Sequence, residues 1–103
     1  MPDSILQMIG LSKRAGRCVS GDYRVIDAIR SGEAALVIIA ADASENTKKR
    51  FKDKCKYADI PICFYGTKQQ LGKFTGKEQA AAAAVTDSGF AGKIEAMIRE
   101  VQI

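Results

Sequence analysis

The residues best placed to do chemistry in this sequence are basic, and they fall into two groups. Between Ser44 and Lys77 there are nine basic residues against three acidic ones, a local excess of +6. The nine are Lys48, Lys49, Arg50, Lys52, Lys54, Lys56, Lys68, Lys73 and Lys77. The second group is Lys13, Arg14, Arg17 and Arg24, near the dipeptide Ser20-Gly21. A single lysine is usually part of a solvated face, but cations grouped in this way bind backbone phosphates.

The dipeptide Ser20-Gly21 stands where a helix is predicted to begin. A helix N-terminus offers unpaired N–H groups and a partial positive charge, so it can hold a phosphate or a base edge. Arg17 or Arg24 would add a guanidinium group there, whose planar set of N–H donors matches a phosphate. The alternative is that Ser20 is an ordinary helix cap, which is its more common role. Tyr23 either stacks on a base or simply packs.

Two common kinds of catalytic site have no basis in this sequence. The chain has 103 residues and no histidine, the commonest general base and metal ligand. Gly16 and Gly21 have the spacing of the two glycines of a phosphate-binding Walker A loop. Asp22 and Tyr23, however, occupy the places of its Lys and Ser/Thr, and no G-x-G-x-x-G occurs. We therefore expect no metal and no nucleotide cofactor.

The three cysteines indicate a reducing compartment, because their number is odd and none forms a C-x-x-C pair. Cys55 lies between Lys54 and Lys56 and is either a reactive thiol or a buried structural residue, the commoner case. The apolar run from Leu36 to Ala41 is far shorter than the roughly 18 residues of a membrane span. These features predict a cytoplasmic protein without a membrane segment.

The apolar pattern predicts alternating helices and strands. Helices are expected over 4–15, from Ser20-Gly21 to Gly32, after residue 42, over 67–74 and from about 88. Strands are expected over 18–19, 35–41, 60–65 and 80–87, the last despite the helix propensity of its alanines. The third helix is capped either by Asp42, in a capping box with Glu45, or by Ser44. The prediction is one domain, 1–103, with a three-layer α/β/α fold and a small mixed sheet of about four strands.

Several of these features occur together in one known family. They are the element order, the Ser20-Gly21 helix start, the strand ending Ile39-Ala40-Ala41-Asp42, the Ile60-Pro61 strand start and the Leu71-Gly72-x-x-x-Gly76 loop. With this set the chain resembles, over nearly its whole length, the kink-turn RNA-binding ribosomal-protein superfamily of the L7Ae type, in particular its small bacterial YlxQ-like members. The resemblance implies a protein that binds kinked RNA with tandem sheared G·A pairs, without catalysis or cofactor.

The resemblance also implies where RNA binds and which positions are altered. Gly21 matches the first residue of the family motif G-x-N-E-x-x-K, where it lets the backbone approach RNA closely. The next three motif positions are here Tyr23, Arg24 and Asp27. Arg24 can still make a two-pronged contact to a guanine edge or a phosphate. Asp27 would repel phosphate unless it turns away or pairs with Arg24 or Arg30.

The second implied part of the surface is the loop after the fourth helix, where the family cradles an extruded nucleotide and Lys77 would lie beside the backbone. The predicted RNA-binding residues are Arg17, Ser20, Gly21, Asp22, Tyr23, Arg24, Asp27, Lys77, Glu78, Gln79 and Ala80. The supporting basic face is Lys13, Arg14, Lys48, Lys49 and Lys73.

The sequence thus predicts a monomeric, ribosome-associated type of protein that binds structured, kink-turn-like RNA of ribosomal or regulatory origin. The alternative is a protein-interaction module of the same superfamily without specific RNA recognition, which an exposed apolar patch would favour. An enzyme comes third, because only cysteine chemistry is left for it.

Overall fold

Helices and strands alternate along residues 3–102, which are the residues that the computed structural model describes. The helices are α1 (Ser4–Arg14), α2 (Asp22–Ser31), α3 (Glu45–Ala58), α4 (Lys68–Thr75) and α5 (Ser88–Val101). The strands are β1 (Cys18–Ser20), β2 (Leu36–Ile39), β3 (Ile62–Phe64) and β4 (Ala82–Val85). The predicted elements therefore form in the predicted order.

The four strands make one mixed sheet in the order β1-β4-β2-β3. Strand β2 pairs parallel with β3 and antiparallel with β4, and β4 pairs antiparallel with β1. Every residue of the two central strands, β2 and β4, is buried. The alanine-rich segment is a strand because it is covered on both faces, and this burial outweighs the helix propensity of alanine.

Helices cover both faces of the sheet. Helices α1, α4 and α5 pack together on one face, and α2 and α3 pack together on the other. Ile9, Leu71 and Ile94 fill the first interface, whereas Val25 and Phe51 fill the second, all five with no exposed area. The fold is thus the predicted three-layer α/β/α sandwich.

Hydrogen bonds identify the residue that caps α3 and the contact that Asp42 makes with α4. Ser44 caps α3, since its hydroxyl accepts from the Thr47 N–H at 3.1 Å. The alternative that Asp42 caps this helix is wrong. Its carboxylate instead accepts from the backbone N–H of Lys68 at 2.8 Å, which ties the end of β2 to the start of α4.

Candidate nucleic-acid interface

Helix α2 begins at a glycine whose backbone leaves a row of free N–H groups. Gly21 has φ 97° and ψ 146°, a conformation essentially restricted to glycine, and as N-cap it has no side chain to accept from the first turn. The first N–H bonded to the helix is that of Val25, which donates to the Gly21 carbonyl at 3.0 Å. Among the described residues, the N–H groups at 22–24 find no acceptor. These N–H groups lie at the N-terminus of α2, which is the positive end of the helix dipole.

Ser20 does not contribute its side chain to this helix start. It is the last residue of β1, has no exposed area, and its Oγ has no hydrogen-bond partner within the described part of the chain. Strand alternation turns Cys18 and Ser20 inward and Val19 outward, as the burial pattern of β1 shows. The interpretation of Ser20 as a cap is therefore wrong, since the N-cap of α2 is Gly21.

The loop that follows α4 lies directly against the start of α2. A Cβ placed on Gly21 would be 3.5 Å from Cε and 3.8 Å from Nζ of Lys77. The Gly21 N–H also donates to the Ala82 carbonyl at 3.0 Å, which fixes the start of β4 beside the same residue. The fold therefore brings together the two segments that the family resemblance implied would form one site.

A close backbone contact at Gly72 holds this loop in place. A Cβ at Gly72 would lie only 2.7 Å from the backbone N and Cα of Gln79 and 2.8 Å from the carbonyl carbon of Glu78. The Lys77 N–H donates to the Gly72 carbonyl at 2.8 Å, and the Ala80 N–H donates to that of Lys68 at 2.9 Å. Only a residue without a side chain allows the loop to pack this tightly on α4. The sequence contained this glycine in its loop motif but gave no sign of its role.

The predicted loop residues differ in how accessible they are. Lys77, Glu78 and Gln79 are exposed, whereas Ala80 is buried. Glu78, Gln79 and Gln69 of α4 line an open polar cleft of about 650 Å³.

The three altered motif positions all lie on the open face of α2. The Tyr23 side chain is 82% exposed, so the alternative that it packs in the protein is wrong. Tyr23, Arg24 and Asp27 line a groove of about 330 Å³ together with Val19. Asp27 is exposed, and its carboxylate forms no ion pair with any described residue, Arg24 included. It is thus open to solvent on the same face as Arg24.

Asp22 forms an ion pair with a residue of α3. Its Oδ2 lies 2.8 Å from Nη2 of Arg50, and both side chains are close to half exposed. The sequence placed Arg50 in the large basic group but not in the site, because nothing in the pattern paired residues 28 positions apart.

The basic residues near Ser20-Gly21 in the sequence lie on different elements of the fold. Arg17 precedes β1, and its carbonyl accepts from the Thr86 N–H at 2.8 Å, at the opposite end of the strand from Gly21. Four steps along the extended chain separate the two positions by about 13 Å. Lys13 and Arg14 belong to the last turn of α1, which leads into Arg17. Of the four cations, Arg24 lies in the first turn of α2, whereas the other three precede β1.

The other predicted basic side chains lie on α3 and α4. Lys48 and Lys49 are in the first two turns of α3, where they form weak pairs with Glu45 at 3.8 Å and Asp53 at 3.2 Å. Such surface pairs contribute little to stability. Lys73 is exposed near the end of α4, with its ammonium nitrogen 5.9 Å from the centre of the Phe74 ring.

All three cysteines are free and buried. Burial raises the pKa of the Cys55 thiol to about 11 and also raises the pKa values of Cys18 and Cys63. The neighbouring lysines do not activate Cys55, because its side chain points into the core. Residues 3–102 contain no cluster of metal-ligating side chains and no helix that could span a membrane.

We expect the thiols to resist alkylation in the folded protein. At neutral pH the raised pKa of Cys55 leaves very little thiolate, so iodoacetamide should label Cys55 of the native chain at least about a hundredfold more slowly than Cys55 of the urea-unfolded chain. Mass spectrometry of timed samples measures both rates. Rapid labelling of one native thiol would contradict this and would restore cysteine chemistry as a function.

Comparisons with known proteins agree with the fold and with the resemblance noted from the sequence. The chain is 42% identical over 91 residues to the RNA-binding protein YlxQ of Bacillus subtilis (strain 168), covering 88% of this chain and 91% of that protein. It is 38% identical over 93 residues to the RNA-binding protein YlxQ of Enterococcus faecium, covering 90% and 89%. These names agree with the prediction of a non-enzymatic protein.

Two solved structures are also similar. A protein with unknown function from Bacillus halodurans superposes with a TM-score of 0.89 at 36% identity, over 95% of this chain and 99% of that one. The 15.5kD RNA binding protein of Giardia lamblia gives a TM-score of 0.76 over 98% and 92%, and at 19% identity it supports the fold alone. Residues 3–95 match the family described as ribosomal protein L7Ae/L30e/S12e/Gadd45. The chain therefore belongs to the ribosomal protein L7Ae/L30e/S12e/Gadd45 family.

Proposed function

We propose that this protein binds structured RNA containing a kink-turn-like element, through the start of α2, the 77–80 loop and the adjacent basic side chains. One observation carries the proposal. The Lys77 side chain lies over Gly21, beside three backbone N–H groups that have no acceptor among the described residues. A cation and a row of free donors at a helix N-terminus form an anion site. The names of the two YlxQ relatives, RNA-binding proteins, support RNA as the anion.

Different parts of this surface would bind different groups of the RNA. The α2 amides and Lys77 hold phosphates, while the Arg24 guanidinium makes a two-pronged contact to a guanine edge in place of the usual motif residues. Exposed Tyr23 offers a ring on which a base can stack. The cleft beside Glu78 and Gln79 takes a nucleotide turned out of the stack, the form in which RNA bases are most often recognised.

The setting we propose is the cytoplasm, with a ribosomal or regulatory RNA as the partner and the protein acting as a monomer. A net charge of +4 favours a polyanion. The three free cysteines suit a reducing compartment.

Binding to a structured RNA should weaken steeply with salt. We estimate four to six phosphate contacts, for which the logarithm of the binding constant should fall with the logarithm of salt concentration with a slope of about −3 to −5. Fluorescence anisotropy with a labelled, folded RNA at several salt concentrations measures this slope. If the RNA binds no better at about 0.1 M salt than an acidic polypeptide of equal charge, the proposal fails.

One observation favours the second candidate function, a protein-interaction module. A groove of about 560 Å³ lies between α2 and α3. Its surface is mainly apolar, and Ile26, Ile29 and Tyr57 contribute to it. Tyr57 is 96% exposed and lines this groove together with Arg30, near the end of α2. A stable dimer in sedimentation that is lost on Tyr57→Ser, with no RNA binding, would favour this function over the first.

A further inference from the structure

We propose that Arg50 is a further RNA-binding residue and that Asp22 positions it, so that the RNA-binding surface continues from α2 onto α3. The group that Arg50 would bind is a phosphodiester of the same RNA strand that meets the start of α2. This inference rests on the proposed function and adds to it a residue from a different helix.

The ion pair between Asp22 and Arg50 differs from the others in this protein. The remaining pairs of the described residues join side chains three or four positions apart within one helix. Asp22 and Arg50 instead join the first residue of α2 to α3 at 2.8 Å. The pair therefore fixes a cation from α3 at the place where the free N–H groups of α2 emerge.

The guanidinium keeps donors available for a ligand. Arginine carries five N–H donors, and within residues 3–102 only Nη2 of Arg50 donates a hydrogen bond, to the Asp22 carboxylate. The Arg50 side chain is 46% exposed, so its other donors can face solvent or a phosphate. A planar guanidinium held on one side by a carboxylate is suited to bind a phosphate on the other.

The ion pair with Arg50 also explains why a carboxylate can stand at the start of an RNA-binding helix. A carboxylate in the first turn of an RNA-binding helix would by itself repel phosphate, but here it is paired with Arg50, while Lys77 lies over neighbouring Gly21. Asp22 thus orders a long, flexible side chain before RNA arrives, which lowers the entropy lost on binding. The opposite view, that Asp22 only repels RNA, predicts the opposite sign on its removal.

The test measures the affinity of three single variants and one double variant for a labelled kink-turn RNA with tandem G·A pairs. Arg50→Ala should weaken binding about fivefold to tenfold and make the salt slope less steep by about one. Asp22→Ala should weaken binding about threefold, whereas Asp22→Asn, which keeps an acceptor for Arg50, should bind at least as well as the wild type. Asp22→Ala combined with Arg50→Ala should bind no more weakly than Arg50→Ala alone, because the two act as a unit.

Asp53→Asn is the matched control, because Asp53 is also paired with a cation, Lys49, on the surface of α3. It should leave the affinity unchanged or slightly higher, and urea unfolding of every variant confirms that each is folded. Higher affinity for Asp22→Ala, or wild-type affinity for Arg50→Ala, overturns the inference while leaving the proposed function intact. If the wild type itself does not bind the RNA, both are overturned.

Discussion

Gly72→Ala should displace the 77–80 loop and weaken both the fold and RNA binding. The added methyl would lie 2.7 Å from backbone atoms of Gln79, a distance that real Cβ contacts do not reach. Because the obstacle is backbone rather than a flexible side chain, the loop must move away from α4. Overpacking of this kind costs about 1–3 kcal/mol, partly offset by the better helix propensity of alanine. Lys77 would move with the loop, so we expect RNA affinity to fall by about tenfold or more, or 1.4 kcal/mol.

Gly92→Ala is the matched control for this variant. Gly92 lies in the interior of α5, and a Cβ there would meet nothing within 4 Å. It should raise the free energy of unfolding by about 0.5–1 kcal/mol and leave RNA affinity unchanged. Urea unfolding and anisotropy titrations on both variants measure the two effects. A Gly72→Ala protein that is as stable as the wild type and binds RNA equally would contradict the role given to this contact.

The double variant Arg24→Ala, Lys77→Ala should lose most of the RNA affinity while staying folded. Both side chains are exposed, and neither takes part in an ion pair of the described structure, so their removal leaves the core intact. Loss of an arginine that contacts a base edge costs about 1–3 kcal/mol, and loss of a phosphate contact makes the salt slope less steep by about one. Together we expect a decrease in affinity on the order of a hundredfold.

Arg30→Ala provides the control for charge. Arg30 is exposed near the end of α2, about 9 Å further along the helix axis than Arg24. Its removal changes the net charge by the same amount as either single change but should reduce affinity less than threefold at about 0.15 M salt, where screening is strong. If Arg30→Ala and Arg24→Ala weaken binding equally, the protein attracts RNA by net charge alone and the assigned surface is wrong.

Much of the fold could be predicted because its signals are local. The apolar run around Val37 to Ile39, the Thr67 and Gln70 capping box, and the helical spacing of Ile94 and Ile98 each specify one element. The α3 cap needed the structure, since Asp42 and Ser44 both have the right type and only their hydrogen bonds distinguish them.

The site was harder to predict because it depends on contacts between distant segments. Proximity in sequence grouped Arg17 with Gly21, yet an extended strand carries them apart. The contacts of Gly72 with Gln79 and of Asp22 with Arg50 depend on how helices pack, which no short motif encodes. Ser20 was placed in the site by residue type, although strand alternation turns it into the core.

The most direct test of RNA recognition is a comparison of two RNAs with the wild-type protein. One is a labelled kink-turn RNA, and the other is the same RNA with its G·A pairs changed to Watson–Crick pairs, each measured at two salt concentrations. A preference of about tenfold or more for the kinked RNA, or 1.4 kcal/mol, is the result we predict. It would mean that Tyr23, Arg24 and Asp27 recognise the kink in place of the usual motif residues. Equal and salt-sensitive binding to both RNAs would contradict kink-turn recognition, and binding to neither would remove RNA as the partner.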